Sequence, residues 1–268
     1  METKINVGLI GAGRIAGHHI RALQNNSQFK VISICDLNKL KAENYSHKFK
    51  LNVYRHYDEM LTQEKALDLI VILTPSGMHY THATDILKKY KKHLLIEKPT
   101  ALKTSQIKNL YKLASKYKKK IFPVFQNRYN KSIIKIKDLI KKKELGKIRI
   151  ASLQLRWCRP QRYYDLSVWR GIYSHDGGAL TNQGVHYIDL LRYLFGEVKT
   201  VSAIMRTLGA KIEVEDSVVA NLEYLSGAIG NLEVTTAARP DDYGATISII
   251  GSKGFAQIGG LAANKIEI

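Results

Sequence analysis

The chain has 268 residues, 45% of them hydrophobic and 24% charged, with a formal net charge of +19. This is globular usage with length for about two domains and a sizeable core, which excludes a disordered chain. No apolar run approaches the ~18 residues of a membrane span. The opening METKINVGLIGAG lacks the apolar stretch and cleavage site of a secretion signal. Cys35 and Cys158 form no metal or redox motif and suit a reducing compartment. The chain therefore reads as cytoplasmic, with no membrane partner.

Much of the positive excess lies in lysine clusters: Lys88, Lys89, Lys91 and Lys92; Lys116 with Lys118, Lys119 and Lys120; and Lys141, Lys142 and Lys143. Each falls near the end of an expected helix, where cations complement the dipole. A nucleic-acid reader would interleave them with stacking aromatics or a known module. None is present, so no nucleic-acid partner is expected. The positive field still favours an acidic small molecule.

In chain order, Ile5–Ile10 reads as a strand, 14–25 as a helix, Val31–Cys35 as a strand and 38–49 as a helix. Val53 and Tyr54 suggest a short strand, followed by a helix at 57–63. Leu67–Leu73 is almost wholly apolar, as a strand buried on both faces must be. A helix at 76–90, a strand at Leu94–Ile96, a helix at 103–118 and a strand at Ile121–Phe125 complete a βαβ rhythm. That rhythm belongs to a doubly wound parallel sheet. The remainder has a basic helix at 130–142, a helix at 181–195 and β-rich stretches at 147–157, 198–206, 214–224, 228–236 and 245–251. This pattern suits an α+β domain whose sheet is mostly antiparallel with helices on one face. The expected domains are 1–121 and 122–268.

Three segments carry chemistry. Gly11-Ala12-Gly13-Arg14-Ile15-Ala16 follows a strand and opens a helix, a G-x-G-x-x-A arrangement. Gly11 permits the turn, Gly13 lets a pyrophosphate approach, and Ala16 lets helix and strand pack. Asp36 ends the second strand, where a carboxylate accepts ribose hydroxyls and repels a 2′-phosphate, favouring NAD over NADP. Glu97-Lys98-Pro99 ends another strand, at the sheet edge where ligands bind. Burial would bring such a lysine toward a useful pKa. Gly177 and Gly178 lead into a helix on which Asn182, His186 and Asp189 share a face. An imidazole there is a natural acid–base group. Two ligands are too few for a metal, and none is expected.

Together these motifs resemble the Gfo/Idh/MocA oxidoreductases, over nearly the whole chain. Thr74-Pro75-Ser76-Gly77-Met78-His79 resembles the family's cofactor loop, Gln126-Asn127-Arg128 its segment after the last Rossmann strand, and Trp169-Arg170 its pair before the glycine turn. The resemblance implies a nicotinamide-dependent oxidation or reduction of a sugar or polyol hydroxyl, with Lys98 and His186 as the acid–base pair. It implies a cofactor site comprising Gly11, Gly13, Arg14, Ile15, Asp36, Thr74, Pro75, His79, Glu97, Lys98, Gln126, Trp169 and Arg170. One position departs from the family: Asn182 replaces its usual aspartate, so a proton-accepting carboxylate is lost there while a hydrogen-bonding group remains.

The stretch from Arg156 to Tyr164, with Trp169-Arg170-Gly171 and Ala179 to Gly184, is similar to the WlbA/WbpB-type branch. That branch oxidises C3 of UDP-N-acetylglucosaminuronic acid in surface-polysaccharide biosynthesis. Arg156, Arg162, Tyr164, Asn182 and His186 would then bind substrate, since guanidinium grips carboxylate and phosphate in a fork. Local carboxylates competing for the arginines would be Asp165 and Asp176. Family members continue beyond Asn264–Ile268 with a further strand and tail, so the second domain reads as cut short. An exposed sheet face there would be covered by self-association, as a homodimer or homotetramer. The alternatives are a dehydrogenase of a free sugar or polyol such as inositol, a non-catalytic NAD-binding partner protein, and a phosphate-binding nucleic-acid protein.

Overall fold

A computed structural model describes residues 4–260 and 263–268. The chain divides into two compact units, one ending at Val124 and the other beginning at Phe125. The break lies three residues beyond the expected one because Ile121–Pro123 hydrogen-bonds into the first unit's sheet.

The first unit contains β1 (Ile5–Ile10), α1 (Ala16–Gln24), β2 (Phe29–Cys35), α2 (Lys39–Phe49), β3 (Asn52–Tyr54) and α3 (Tyr57–Gln63). It continues with β4 (Leu69–Ile72), α4 (His79–Asp85), β5 (His93–Ile96), α5 (Thr104–Lys116) and β6 (Ile121–Pro123). The strands form one parallel sheet in the order β3-β2-β1-β4-β5-β6. Every residue of β4 is buried, as its continuous apolar run requires. Helix α1 buries Ala16, Ile20 and Leu23 at near-helical spacing against Leu9, Ile34 and Val71. Ile20 and Leu23 each contribute about 1.5–3 kcal/mol by this burial. Helix α2 begins where the Asn38 side chain accepts the Lys41 N–H at 3.4 Å. The helix expected at 76–90 forms in three pieces: a 3-10 turn at Ser76–Met78, α4, and a π turn at Ile86–Tyr90.

The second unit opens with a 3-10 turn, Gln126–Tyr129, and then α6 (Lys131–Lys141), β7 (Ile148–Arg156), α7 (Gln161–Asp165), α8 (Gly178–Asn182) and α9 (Val185–Phe195). Six strands follow: β8 (Val198–Arg206), β9 (Ser217–Tyr224), β10 (Ile229–Thr235), β11 (Gly244–Gly251), β12 (Phe255–Gly259) and β13 (Lys265–Glu267). Together with β7 they form a seven-stranded mixed, mostly antiparallel sheet in the order β13-β12-β11-β7-β10-β9-β8, in which β7 and β10 run parallel. One face packs against α6 and α9, with Ile133, Ile136, Leu190 and Leu194 closing over Leu153, Leu155 and Val234. The opposite face is open. Cross-strand neighbours Phe255, Ile250, Ile150 and Ile229 run across it through β12, β11, β7 and β10, all exposed.

The single helix expected at 181–195 is instead two. Gly184 closes the gap: its N–H reaches back to the Ala179 carbonyl at 2.8 Å, and a Cβ there would stand 2.8 Å from the Leu180 oxygen. Asn182 therefore lies on α8 and does not share a helix face with His186. No helix among the described residues is long and apolar enough to cross a membrane.

Candidate functional site

In the first unit the strand order reverses beside β1, so the chain leaves β1 and β4 in opposite directions and opens a crevice at their carboxyl ends. Gly11 occupies that point with φ +103°, and a Cβ on it would stand 2.8 Å from both the Leu73 carbonyl carbon and oxygen. Only glycine fits there. Gly13 differs: nothing lies within 4 Å of where its Cβ would be. That is an open approach to backbone at the start of a helix, as a pyrophosphate requires. The Tyr45 hydroxyl donates to the Gly13 carbonyl at 3.0 Å, tying this loop to α2. Arg14 and Ile15 are exposed on its rim.

Asp36, half-buried at the end of β2, accepts the Ala12 N–H at Oδ2 and the Asn38 N–H at Oδ1, both at 2.8 Å. The loop that frames the phosphate position thus also aims the carboxylate, which keeps acceptor capacity for ribose hydroxyls. These features fit a dinucleotide: the open cradle at Gly13, the forced turn at Gly11 and the anchored Asp36. When bound, NAD supplies a hydride-accepting nicotinamide ring.

Glu97, Lys98 and Pro99 follow β5, and the Lys98–Pro99 peptide is cis. Lys98 and Glu97 are both partly buried. Glu97 accepts from His19 Nε2 at 2.8 Å and from the Lys98 backbone N–H at 3.1 Å. Burial pushes its carboxyl up, but the His19 contact and the Lys98 N–H and charge outweigh this, and its pKa lies below the ordinary value. Glu97 is thus engaged within the protein by His19 and the Lys98 N–H. His79 requires a plainer correction. It is 1% exposed, and burial holds its imidazole below the ordinary range. It cannot reach a ligand. Thr74 and Pro75, in the same loop, remain partly exposed.

In the second unit, His186 stands on the first turn of α9, partly buried, with its ring edge-on to Phe125 at 6.2 Å. Asp189, one turn on, accepts a fork from Arg128: Nε donates to Oδ2 at 2.6 Å and Nη2 to Oδ1. The Arg128 guanidinium lies over Phe125 and Tyr193. Gln126, two residues before it, is exposed.

The arginines between 156 and 170, of which Arg156 and Arg162 were expected at the substrate and Arg170 at the cofactor, divide. Arg156 is engaged by Glu233, Nε to Oε1 at 2.6 Å and Nη2 to Oε2 at 2.7 Å. Arg159 donates to Asp242 at 2.8 Å. Their partners come from strands and loops far along the chain, not from Asp165 or Asp176. Arg162 is exposed. Arg170 stacks on Tyr163 at 4.1 Å and near Trp169 at 5.6 Å. Its Nη1 donates to the Tyr163 carbonyl, and its buried Nε has no acceptor among the described residues. Tyr164 is a core residue, 6% exposed, with its hydroxyl on Thr236 Oγ1 at 3.0 Å, so it is not a free ligand group. Asn182 is 8% exposed and its amide donates to Asp176.

Three carboxylates organise this region, of which the sequence reading weighed only Asp176, and that as a partner for arginine. Asp176, 2% exposed, accepts the Gly171 N–H at 2.8 Å as well as the Asn182 amide. Glu215 Oε1 accepts the Leu180 N–H at the start of α8, and its carboxylate occupies the place a Gly178 side chain would fill. Burial raises its pKa. Asp216, 1% exposed, accepts the N–H groups of Leu208, Gly209 and Ala210. The glycine pair before Asn182 and the acidic Glu215-Asp216 pair, read together, were the available signal.

Comparison with known proteins gives concordant results. A family model described as "Oxidoreductase family, NAD-binding Rossmann fold" matches residues 5–125. A second, "GFO/IDH/MocA C-terminal domain", matches residues 133–257. The structure is similar to the WlbA dehydrogenase from Bordetella pertussis solved in complex with NADH and UDP-GlcNAcA. The TM-score is 0.96 at 35% sequence identity, over 100% of this chain and 77% of that one. By sequence the chain is 26% identical to glucose-6-phosphate 3-dehydrogenase of Bacillus subtilis, covering 92% of this chain and 72% of the relative. It is 25% identical to myo-inositol 2-dehydrogenase of Thermotoga maritima, covering 93% and 74%. With both of the family's domain types matched in order, the first an NAD-binding Rossmann fold, this chain belongs to the Gfo/Idh/MocA oxidoreductases.

Proposed function

We propose that the protein is an NAD-dependent dehydrogenase of a sugar nucleotide, oxidising C3 of UDP-N-acetylglucosaminuronic acid or a close N-acetylhexosaminuronic relative. The observation that carries this reading is the likeness to a WlbA dehydrogenase solved with NADH and UDP-GlcNAcA, at 35% identity over the full chain. In the reaction the C3–H bond breaks with its electron pair, which moves to the nicotinamide as hydride. The hydroxyl proton passes to Lys98 or His186 and the carbon becomes a ketone. Lys98, just after β5, and His186, on the first turn of α9, are the titratable groups assigned to that proton. Asp36 selects NAD by accepting the ribose hydroxyls. Gly11, Gly13, Thr74 and Pro75 hold the dinucleotide.

Substrate anion binding falls to Arg170 and Arg162 more than to Arg156. Arg162 is exposed and Arg170 partly exposed, whereas Arg156 is already forked to Glu233. Asn182, donating to Asp176, orients rather than accepts a proton. The Phe255–Ile250–Ile150–Ile229 row on the open sheet face supports pairing with a second copy of the chain.

The test is absorbance of reduced nicotinamide with NAD and a substrate panel: UDP-GlcNAcA, UDP-GlcNAc, glucose 6-phosphate and myo-inositol. UDP-GlcNAcA should give a kcat/KM at least about tenfold above the others, roughly 1.4 kcal/mol of transition-state discrimination. Preference for a phosphate-free polyol would replace this reading with the inositol-type alternative. Stable NADH binding without turnover on any of them would favour a non-catalytic NAD-binding protein.

A further inference from the structure

His79 opens α4 and is sealed from solvent, yet its two ring nitrogens both meet main-chain carbonyls. Nδ1 lies 2.7 Å from the Pro99 oxygen and Nε2 lies 2.7 Å from the Thr74 oxygen. A carbonyl only accepts, so the neutral ring donates to one of them at a time and the imidazolium to both. The two carbonyls end neighbouring parallel strands: Thr74 follows β4 and Pro99 follows β5. His82, three residues further along α4 and 7% exposed, places Nδ1 3.1 Å from the Thr74 hydroxyl. Tyr57 packs its ring edge-on against His82 at 5.1 Å and donates its hydroxyl to Asp85 at 2.9 Å. Thr74 is therefore held at its carbonyl by one imidazole and at its hydroxyl by another. The first of these also holds the residue next to Lys98.

We infer that His79 is a positioning residue that locks the Thr74–Pro75 loop to the Lys98–Pro99 loop, keeping the cofactor-holding backbone and the proton-transfer lysine at one spacing. The inference rests on the roles proposed above for Thr74 and Lys98. A buried group of this kind acts through distance: small displacements of a reacting group cost large factors in rate.

The two contacts can be separated, because an asparagine amide nitrogen falls near the position of Nδ1 and a glutamine amide nitrogen near that of Nε2. His79→Leu, His79→Asn and His79→Gln are compared with wild type for NADH dissociation constant by nicotinamide fluorescence, and for kcat and KM on UDP-GlcNAcA. His79→Gln, keeping the Thr74 contact, should bind NADH within about threefold of wild type but lose about tenfold in kcat. His79→Asn, keeping the Pro99 contact, should hold kcat within about threefold and weaken NADH about tenfold. His79→Leu should lose both, and KM for the sugar nucleotide should stay within about threefold throughout. Identical behaviour of the Asn and Gln variants in both readouts overturns the inference, as does a Leu variant that matches wild type. If wild type turns over no sugar on the panel, the proposed reaction falls. NADH binding then decides the bridge alone, according to whether Gln and not Asn restores it.

Discussion

Arg128 and Asp189 join in a forked ion pair across 61 residues of sequence, with Nε donating to Oδ2 at 2.6 Å. The pair fixes the 3-10 turn that begins the second unit against α9, one turn beyond His186. The guanidinium also lies 5.5 Å from the Phe125 ring centroid, and that ring meets His186 edge-on. His186 is thereby held through an aromatic spacer and not only by its own helix. Asp189→Asn should lower the unfolding free energy by about 1.5 kcal/mol, the worth of a hydrogen bond to a charged group. It should also cut kcat several-fold. Arg128→Lys keeps the charge but not the planar fork, and should recover less than half of the urea midpoint lost on removing Arg128. A wild-type midpoint in both variants would show that the fork does not hold this turn.

Gly11 and Gly13 are two residues apart and should respond oppositely to alanine. Gly11→Ala meets backbone at 2.8 Å in a conformation with φ +103° and should cost roughly 2–4 kcal/mol of stability. Gly13→Ala meets nothing within 4 Å, so its melting temperature should barely change. Its NADH dissociation constant should rise at least about tenfold, because the new methyl group fills the pyrophosphate approach. Circular-dichroism melts and NADH titration separate the two effects.

Asp36→Ala should weaken NAD more than NADP. The carboxylate carries the Ala12 and Asn38 N–H groups as well as the proposed ribose contact, so some general loss is expected. The NAD:NADP ratio of kcat/KM should nevertheless fall about tenfold. An unchanged ratio would show that selectivity lies elsewhere.

Glu97 gives a pH prediction. Its folded pKa lies below the ordinary 4.5 despite burial, owing to the contacts from His19 and Lys98. A carboxylate with a depressed folded pKa stabilises the fold fully above its unfolded value and loses that contribution as pH falls through the folded value. The stability gap between wild type and Glu97→Gln should thus be largest above about pH 4.5 and close below it. A gap that widens on acidification would contradict this.

What could be read from the sequence was what depends on neighbouring residues. The G-x-G-x-x-A turn, Asp36 at the end of β2 and the apolar run of β4 are local patterns, and the first sheet forms as they indicate. Long-range partners were hidden. Glu233 reaches Arg156 because β10 runs parallel to β7, setting Glu233 opposite Gln154 and Thr235 opposite Arg156; no spacing along the chain encodes that. His79 sits in a segment resembling a cofactor loop, yet the fold turns it inward onto two carbonyls. Short β12 and β13 lack a long apolar alternation and were missed. The break between Asn182 and His186 depends on Gly184, whose small size permits close packing on the preceding turn.

Deuterium at C3 of the sugar nucleotide reports whether the hydride leaves that carbon for NAD. Wild-type enzyme is incubated with NAD and UDP-GlcNAcA deuterated at C3, and the reduced cofactor is weighed by mass spectrometry. The reduced cofactor should be one mass unit heavy and should form more slowly than from unlabelled substrate. Unlabelled NADH, or none at all while NADH binding is intact, would contradict it.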